Sequence, residues 1–218
     1  MMSRTLLFST DYHSLVDWST DAILGNREGL DSLRRDKTLY DCLLNHDLYQ
    51  YHCIRKDDIN KTIGEYNHIW NSVESDFRTT VEALFGKDIS KGITAYITFL
   101  PVFPRDLEKR CFLVPFVGSE DYKVSIVFHE YLHFVFFDKL NNYSPSKSIW
   151  LVSELLIPLC FAYFRSKALF GNIVSSNYCL NKDSIDKGAT FFEEFALQRI
   201  SFETLVNELE LVVKEELL

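Results

Sequence analysis

One stretch of the chain decides the predicted fold: Val124-Ser-Ile-Val-Phe-His129-Glu130-Tyr-Leu-His133-Phe-Val-Phe-Phe137. It is an almost wholly apolar run, interrupted by two histidines and one glutamate in the order His-Glu-x-x-His. Residues four apart return to nearly the same face of a helix, so His129 and His133 are predicted to point at one metal ion. Glu130 follows the first histidine, where a carboxylate reaches water at that metal. The stretch therefore predicts a buried helix that carries a metal site.

The composition of the whole chain is typical of a globular protein, with 47% hydrophobic and 25% charged residues among 218. This length suits one large domain or two small ones. The net charge of −8 and the absence of a basic patch disfavour nucleic acid as a partner. The longest apolar run, around 151–164, contains Glu154 and Pro158 and is too short to span a bilayer. We expect neither a signal peptide nor a membrane partner.

The five cysteines are odd in number and include no Cys-x-x-Cys pair. This pattern favours free thiols in a reducing compartment over a disulfide framework. We therefore expect a cytoplasmic protein whose metal site has no cysteine ligand.

Hydrophobic periodicity predicts a long amphipathic helix and a small sheet ahead of the motif helix. Apolar residues recur at steps of three and four over 57–86, and Gly86 fits the position just past the helix end. Apolar and polar residues alternate over Ile93–Leu100, as in a half-buried strand, and 111–117 gives a second strand. A charged loop is expected between these strands, at 105–110.

These elements predict an α+β fold that is mainly helical, with the small sheet preceding the motif helix. Residues 1–90 are expected to form a helical N-terminal region packed on the functional part. Residues 91–218 are expected to form the domain that carries the motif, with helices at about 119–140, 148–169, 189–200 and 201–218.

A catalytic zinc site needs a third protein ligand besides the two histidines. The position six residues beyond His133 is Lys139, so a third histidine at that common spacing is excluded. The four other histidines all lie upstream, in the N-terminal region.

Glu154 is the preferred third ligand. It is the only charged residue between Lys147 and Arg165, and it lies in a run of large apolar side chains. It follows His133 by 21 residues, which is enough for a helix end, a turn and a returning antiparallel helix. Glu193 and Glu194 are the alternatives.

A His-Glu-x-x-His helix followed by a helix with a lone glutamate resembles the gluzincin clan of zinc metallopeptidases, and its compact minigluzincin members in particular. The resemblance covers about residues 92–165. It implies a zincin-like domain in which His129, His133 and Glu154 hold Zn²⁺ and Glu130 activates the attacking water, so that the chain hydrolyses peptide bonds. The clan also uses a downstream tyrosine or histidine to stabilise the oxyanion, and Tyr178 is the candidate here, with Tyr143 and Tyr163 as rivals.

The resemblance further implies a peptide or protein substrate bound in extended form along the strand at 93–100. The sequence departs from the thermolysin-like members at Pro158, where they carry an acid that orients a histidine. The candidates for that orienting role are Asp138, Ser153, Glu193 and Glu194.

Three functions are open at this point. The first is a zinc metallopeptidase, which the general base Glu130 favours, because a structural zinc site has no use for such a group. The second is a zincin-fold binding module that does not hydrolyse, which the missing acid at position 158 favours. The third is a regulatory peptidase that cuts one cytoplasmic protein. For the histidines, the alternative is a core helix in which hydrogen bonds satisfy both rings.

Overall fold

The structure, a computed structural model, describes residues 6–25, 30, 33–86, 92–140, 146–166 and 181–216. In these ranges the chain is mainly helical with one small mixed sheet, which confirms the predicted α+β class. Two of the predicted oxyanion-stabilising candidates, Tyr143 and Tyr178, lie outside the described residues.

Four strands and eight helices occur in the described residues. The strands are β1 (Leu6–Ser9), β2 (Ile93–Thr98), β3 (Arg105–Asp106) and β4 (Cys111–Pro115). The helices are α1 (Leu15–Leu24), α2 (Lys37–Leu44), α3 (Leu48–Ile54), α4 (Lys56–Phe85), α5 (Glu120–Lys139), α6 (Lys147–Ser166), α7 (Lys182–Ala196) and α8 (Phe202–Glu216).

The long amphipathic helix, the motif helix and the glutamate helix are confirmed as α4, α5 and α6. Helix α4 stops at Phe85 because Gly86 follows it with a φ of 89°, a left-handed conformation that glycine adopts without strain. Helix α6 runs through Pro158, which has no N–H to donate to the carbonyl of Glu154. Its predicted extension to about 169 lies outside the described residues.

Helix α7 begins earlier than the sequence predicts. The sequence predicts a helix at about 189–200, but the helix covers Lys182–Ala196. The side chain of Asn181 accepts a hydrogen bond from the backbone N–H of Ser184 at 2.9 Å and so caps the first turn.

The sheet has the strand order β1-β2-β4-β3. Strand β2 pairs in parallel with β1 on one side and with β4 on the other, and β3 pairs antiparallel with β4. The predicted docking of a substrate strand along 93–100 needs correction, because both sides of β2 are already paired between Thr94 and Tyr96. The edges of the described sheet are β1 and β3. The expected charged loop at 105–110 is also partly wrong, since its first two residues form β3.

The chain divides into two compact units. The first comprises Met1–Ser72 and Lys91–Glu130, and the second comprises Val73–Ser90 and Tyr131–Leu218. Each unit takes segments from both sides of residue 90, and helices α4 and α5 contribute residues to both. The assignment of 1–90 and 91–218 to two separate domains stays a prediction.

In the first unit, helices α1 to α3 bury an apolar cluster together with Leu100 and Leu113 from the sheet region. Helix α4 reaches the sheet through Tyr66, whose ring stacks on Phe8 at 5.0 Å between centroids. The Tyr66 hydroxyl donates to the carbonyl oxygen of Pro115 at 2.8 Å. These contacts fix the strands that lead into the motif helix.

In the second unit, α6, α7 and α8 pack on one another, and Gly188 of α7 faces leucines of the other two helices. A Cβ at Gly188 would lie 3.2 Å from Leu209 and 3.3 Å from both Leu155 and Leu159. Only glycine fits there without displacing a neighbour, and this close packing holds the helix that carries Glu154.

Of the described helices, α6 is the one long and apolar enough to cross a membrane, with a mean hydropathy of 1.4. Its apolar window is 56% buried inside the structure, and a largely buried core helix meets the same criterion. The length and composition of α6 are therefore weak evidence for a membrane span.

Candidate metal centre

Helix α5 is buried on almost every side. From Lys123 to Phe136, every residue except His129 is buried, and His129 is half-buried. An apolar run of this kind forms a core helix, and its few polar groups need partners because an unpaired buried charge is costly. The polar groups of α5 therefore identify the places where the helix does more than pack.

Three side chains meet at the centre of the candidate site. His129 and His133 lie one helical turn apart on α5, and Glu154 lies in the middle of α6. The candidate ligand atoms of these residues all lie within 4.8 Å of one another. The side chain of His133 is 0% exposed, and its Nε2 lies 3.3 Å from Oε1 of Glu154. The sequence prediction of this cluster is confirmed, and the three residues are near enough to bind one metal ion.

The donor set fits a metal ion in both chemistry and spacing. Two imidazoles and one carboxylate are the protein ligands of many catalytic zinc sites. Two tetrahedral zinc ligands at about 2.0–2.1 Å from the ion lie about 3.3 Å apart, and the His133–Glu154 separation is 3.3 Å. The side chains of His129 and Glu154 are 15% and 19% exposed, so the cluster has access to solvent on the side of those two residues.

The alternative third ligands do not join the cluster. Glu194 pairs with Arg199 at 2.8 Å, and Glu193 lines a cavity of about 400 Å³ beside Leu159 and Tyr163. Among the described residues, the histidine pair is therefore joined by Glu154.

Glu130, the predicted general base, forms an ion pair that the sequence did not suggest. Its Oε2 accepts a hydrogen bond from Nη1 of Arg105, on strand β3, at 2.8 Å. The two side chains are only 7% (Arg105) and 5% (Glu130) exposed. The other carboxylate oxygen, Oε1, lies 3.8 Å from Nε2 of His129. One oxygen thus contacts the guanidinium, and the other faces a candidate ligand.

His133 also has an aromatic neighbour. The ring of Trp150 stacks on the ring of His133, with centroids 5.6 Å apart and an angle of 8° between the planes. Trp150 precedes Glu154 by one turn of α6 and also stacks on Phe137 at 6.2 Å. A stacked aromatic ring restricts the orientation of the imidazole.

None of the predicted histidine-orienting residues is shown in that role. Ser153 is buried and donates its hydroxyl to the carbonyl oxygen of Trp150 at 2.7 Å. Asp138 is exposed, near the end of α5. Tyr163 packs edge-on against Phe192 at 6.1 Å and against Phe164 at 6.5 Å, so this rival oxyanion candidate contributes to packing in the second unit.

Sequence reasoning missed both Arg105 and Trp150. Arg105 falls in the expected charged loop because a two-residue strand leaves no alternation to detect, and it precedes Glu130 by 25 residues. Trp150 lies in an apolar run that predicts core packing, but its spacing of four from Glu154 places both on one helix face.

The described cysteines, Cys42, Cys53, Cys111 and Cys160, are free thiols, as predicted, and none belongs to the cluster. Burial raises the pKa of the Cys111 thiol to about 11. Burial also raises the pKa of Cys160. Such thiols are poor nucleophiles at neutral pH.

Comparisons of the chain with protein-family models, with curated proteins and with solved structures find no match. The functional inference therefore rests on the residues of the site and their geometry.

Proposed function

We propose that this chain is a zinc-dependent metallopeptidase of the gluzincin type, with His129, His133 and Glu154 as metal ligands. The observation that carries the proposal is the meeting of these three side chains within 4.8 Å, next to a buried glutamate. Two imidazoles and a carboxylate form the ligand set expected of a hydrolytic zinc site, which keeps a position open for water or substrate.

Bound there, zinc would supply a Lewis acid that polarises the scissile carbonyl and makes water more acidic. Glu130 then acts as the general base. Its Oε1, on the His129 side, takes a proton from the attacking water and later gives it to the leaving amine nitrogen. The water oxygen bonds to the carbonyl carbon and the C–N bond breaks, so that one peptide bond and one water become an acid and an amine.

The substrate in this proposal is a peptide or protein, and the reaction takes place in the cytoplasm. Since β2 is paired on both sides, we assign the extended substrate to the β3 edge of the described sheet. Strand β3 carries Arg105, which contacts Glu130, so a chain added along this edge would run close to the general base.

Cleavage of a random decapeptide mixture, followed by mass spectrometry, tests this function. The zinc-loaded full chain should cleave the mixture, and Glu130→Gln should lower the rate by about 10²–10⁴-fold without releasing zinc, because it removes the proton acceptor alone. The matched control is Glu120→Gln, an exposed glutamate at the start of the same helix, which should keep the wild-type rate.

A second candidate is a zincin-fold binding module. Pro158 favours it, because the thermolysin-like members that the sequence resembles carry an acid at this position to orient a histidine. If the zinc-loaded chain cleaves peptides no faster than Glu130→Gln, the general peptidase is contradicted. The binding module, or a peptidase restricted to one cytoplasmic protein, would then be the better explanation.

A further inference from the structure

We propose that Arg105 is a positioning residue for Glu130: it holds Oε2 of the carboxylate so that Oε1 faces the ligand side of the site. This inference rests on the proposed function and names a residue that the His-Glu-x-x-His motif does not contain.

The first argument is that the two carboxylate oxygens of Glu130 have different neighbours. Oε2 accepts a hydrogen bond from the guanidinium at 2.8 Å, and Oε1 lies 3.8 Å from Nε2 of His129. A carboxylate attached through a flexible side chain can rotate, but one oxygen fixed by an ion pair determines where the other points. A general base gains rate from this, because proton transfer requires a defined approach to the water.

The second argument is burial. Arg105 and Glu130 are both almost fully buried, and a guanidinium stays protonated even there. Removing two charges from water is costly, and well-packed apolar residues of similar volume often give equal or greater stability. Stability alone is therefore a weak reason for this pair, and a role in orienting the base is the stronger one.

The third argument is the anchoring of Arg105. Its backbone lies in β3, opposite Phe112 of β4, and the N–H of Leu113 donates to the carbonyl oxygen of Pro104 at 3.0 Å. The guanidinium therefore extends from a strand that is hydrogen-bonded to a fully buried neighbour, β4. A site group is held most accurately when its support lies on such an element.

The first unit contains an ion pair for comparison. Lys123, also on α5 and almost fully buried, donates to Oε2 of Glu65 on α4 at 2.8 Å. Both pairs join α5 to another element at the same distance, but the Lys123 pair includes neither a candidate ligand nor its sequence neighbour. Lys123→Gln is thus the control for losing the ion pair of another buried cation, one that α5 itself carries, without disturbing Glu130.

The test measures kcat, KM and bound zinc for the full-length chain on one cleaved peptide from the mixture. Arg105→Gln should lower kcat by about 100-fold, with KM within about twofold and one zinc retained, because the base is misplaced while substrate and metal still bind. Arg105→Lys keeps the positive charge but lacks the planar guanidinium. Its kcat should therefore be about tenfold higher than that of Arg105→Gln. Lys123→Gln should keep the wild-type kcat.

A second readout uses metal-free protein and needs no activity. If the pair forms, the loss in Tm of the Arg105→Gln/Glu130→Gln double variant should be smaller than the sum of the two single losses, because each single variant leaves one buried charge behind. Additive losses would overturn the proposal. If Arg105→Gln does not fold, Arg105→Lys decides alone: a tenfold loss of kcat at constant KM supports the proposal, and a wild-type kcat overturns it.

The outcomes separate this inference from the proposed function. If wild type cleaves and Glu130→Gln does not, but Arg105→Gln keeps a kcat within twofold of wild type, the role of Arg105 alone is overturned. If Arg105→Gln lowers kcat, raises KM and loses zinc together, Arg105 has a structural role. That result would also overturn the positioning role. If zinc-loaded wild type cleaves no faster than Glu130→Gln, both proposals fail together.

Discussion

Helices α4 and α5 are the two helices that contribute to both compact units, and they treat polar groups in opposite ways. Helix α4 has an apolar stripe facing inward and a polar face in water, and most of its charged groups are exposed. The stretch of helix α5 from Lys123 to Phe136 is buried nearly all round, yet it contains two histidines, a glutamate and a lysine. A stripe is sufficient for packing. Charges kept inside an apolar helix are costly, so each needs a partner or a bound ion.

The largest expected effect concerns packing, where α5 should be far less tolerant than the exposed face of α4. Phe128 is fully buried and meets the ring of Trp70 edge-on at 5.9 Å. Phe128→Ala should lower the free energy of unfolding by about 3–5 kcal/mol, since it removes this contact and leaves a cavity. Asn71→Ala, at an exposed position of α4, should change it by no more than about 0.5 kcal/mol. Denaturant unfolding of both variants measures the contrast, and equal effects would contradict it.

A smaller effect is expected at the contact that orients the buried histidine of α5. Trp150→Ala removes the ring stacked on His133, so the affinity for zinc should fall about tenfold. Trp150→Phe keeps an aromatic ring and should lose less. Trp18→Ala, which removes an exposed tryptophan of α1, serves as the control and should leave zinc affinity unchanged. Competition with a chromophoric chelator measures all three, and a wild-type affinity for Trp150→Ala would show that the stacking is incidental.

The smallest effect concerns the ion pair between the two helices in the first unit. The hydrogen bond from Lys123 lowers the pKa of Glu65 below its ordinary value of 4.5. The folded state therefore favours the ionised carboxylate, and this stabilisation is present above about pH 4.5 and is lost as pH falls below it. Because the Glu65 side chain is 45% exposed, solvent screening limits the contribution to about 1 kcal/mol or less.

The difference in unfolding free energy between wild type and Glu65→Gln should accordingly shrink as the pH falls from 7 to about 3. In a Lys123→Met background, Glu65→Gln should have no such pH-dependent effect. A difference that grows on acidification would contradict the assigned direction of the pKa shift.

The cluster of candidate metal ligands was predictable from the sequence, because each residue is marked by local spacing or by local composition. The spacing of His129 and His133 is a property of one helix, and Glu154 stands out as the lone charge in an apolar run. The extent of α4 and its end before Gly86 were also predictable, since both depend on residues that are close in sequence.

What the sequence did not reveal depends on pairing between distant segments. Strand β1 pairs with one side of β2 although more than eighty residues of sequence separate the two strands. No local pattern therefore showed that β2 has a neighbour on the side where we expected the substrate. Arg105 reaches Glu130 only because the short β3 pairs with β4. The start of α7 has a local cause, because the side chain of Asn181 caps the first turn and the helix therefore begins at Lys182, before the predicted residue 189.

The central claim is that His129, His133 and Glu154 bind one metal ion, and calorimetric titration of Zn²⁺ into the chelator-treated full chain tests it most directly. We predict one zinc per chain, with a loss of at least about 100-fold in affinity for His133→Ala and for Glu154→Ala, because each variant removes a ligand. His68→Ala, which removes an exposed histidine of α4, should bind zinc like wild type. Absence of binding in wild type, or binding that survives both ligand substitutions unchanged, would contradict the claim.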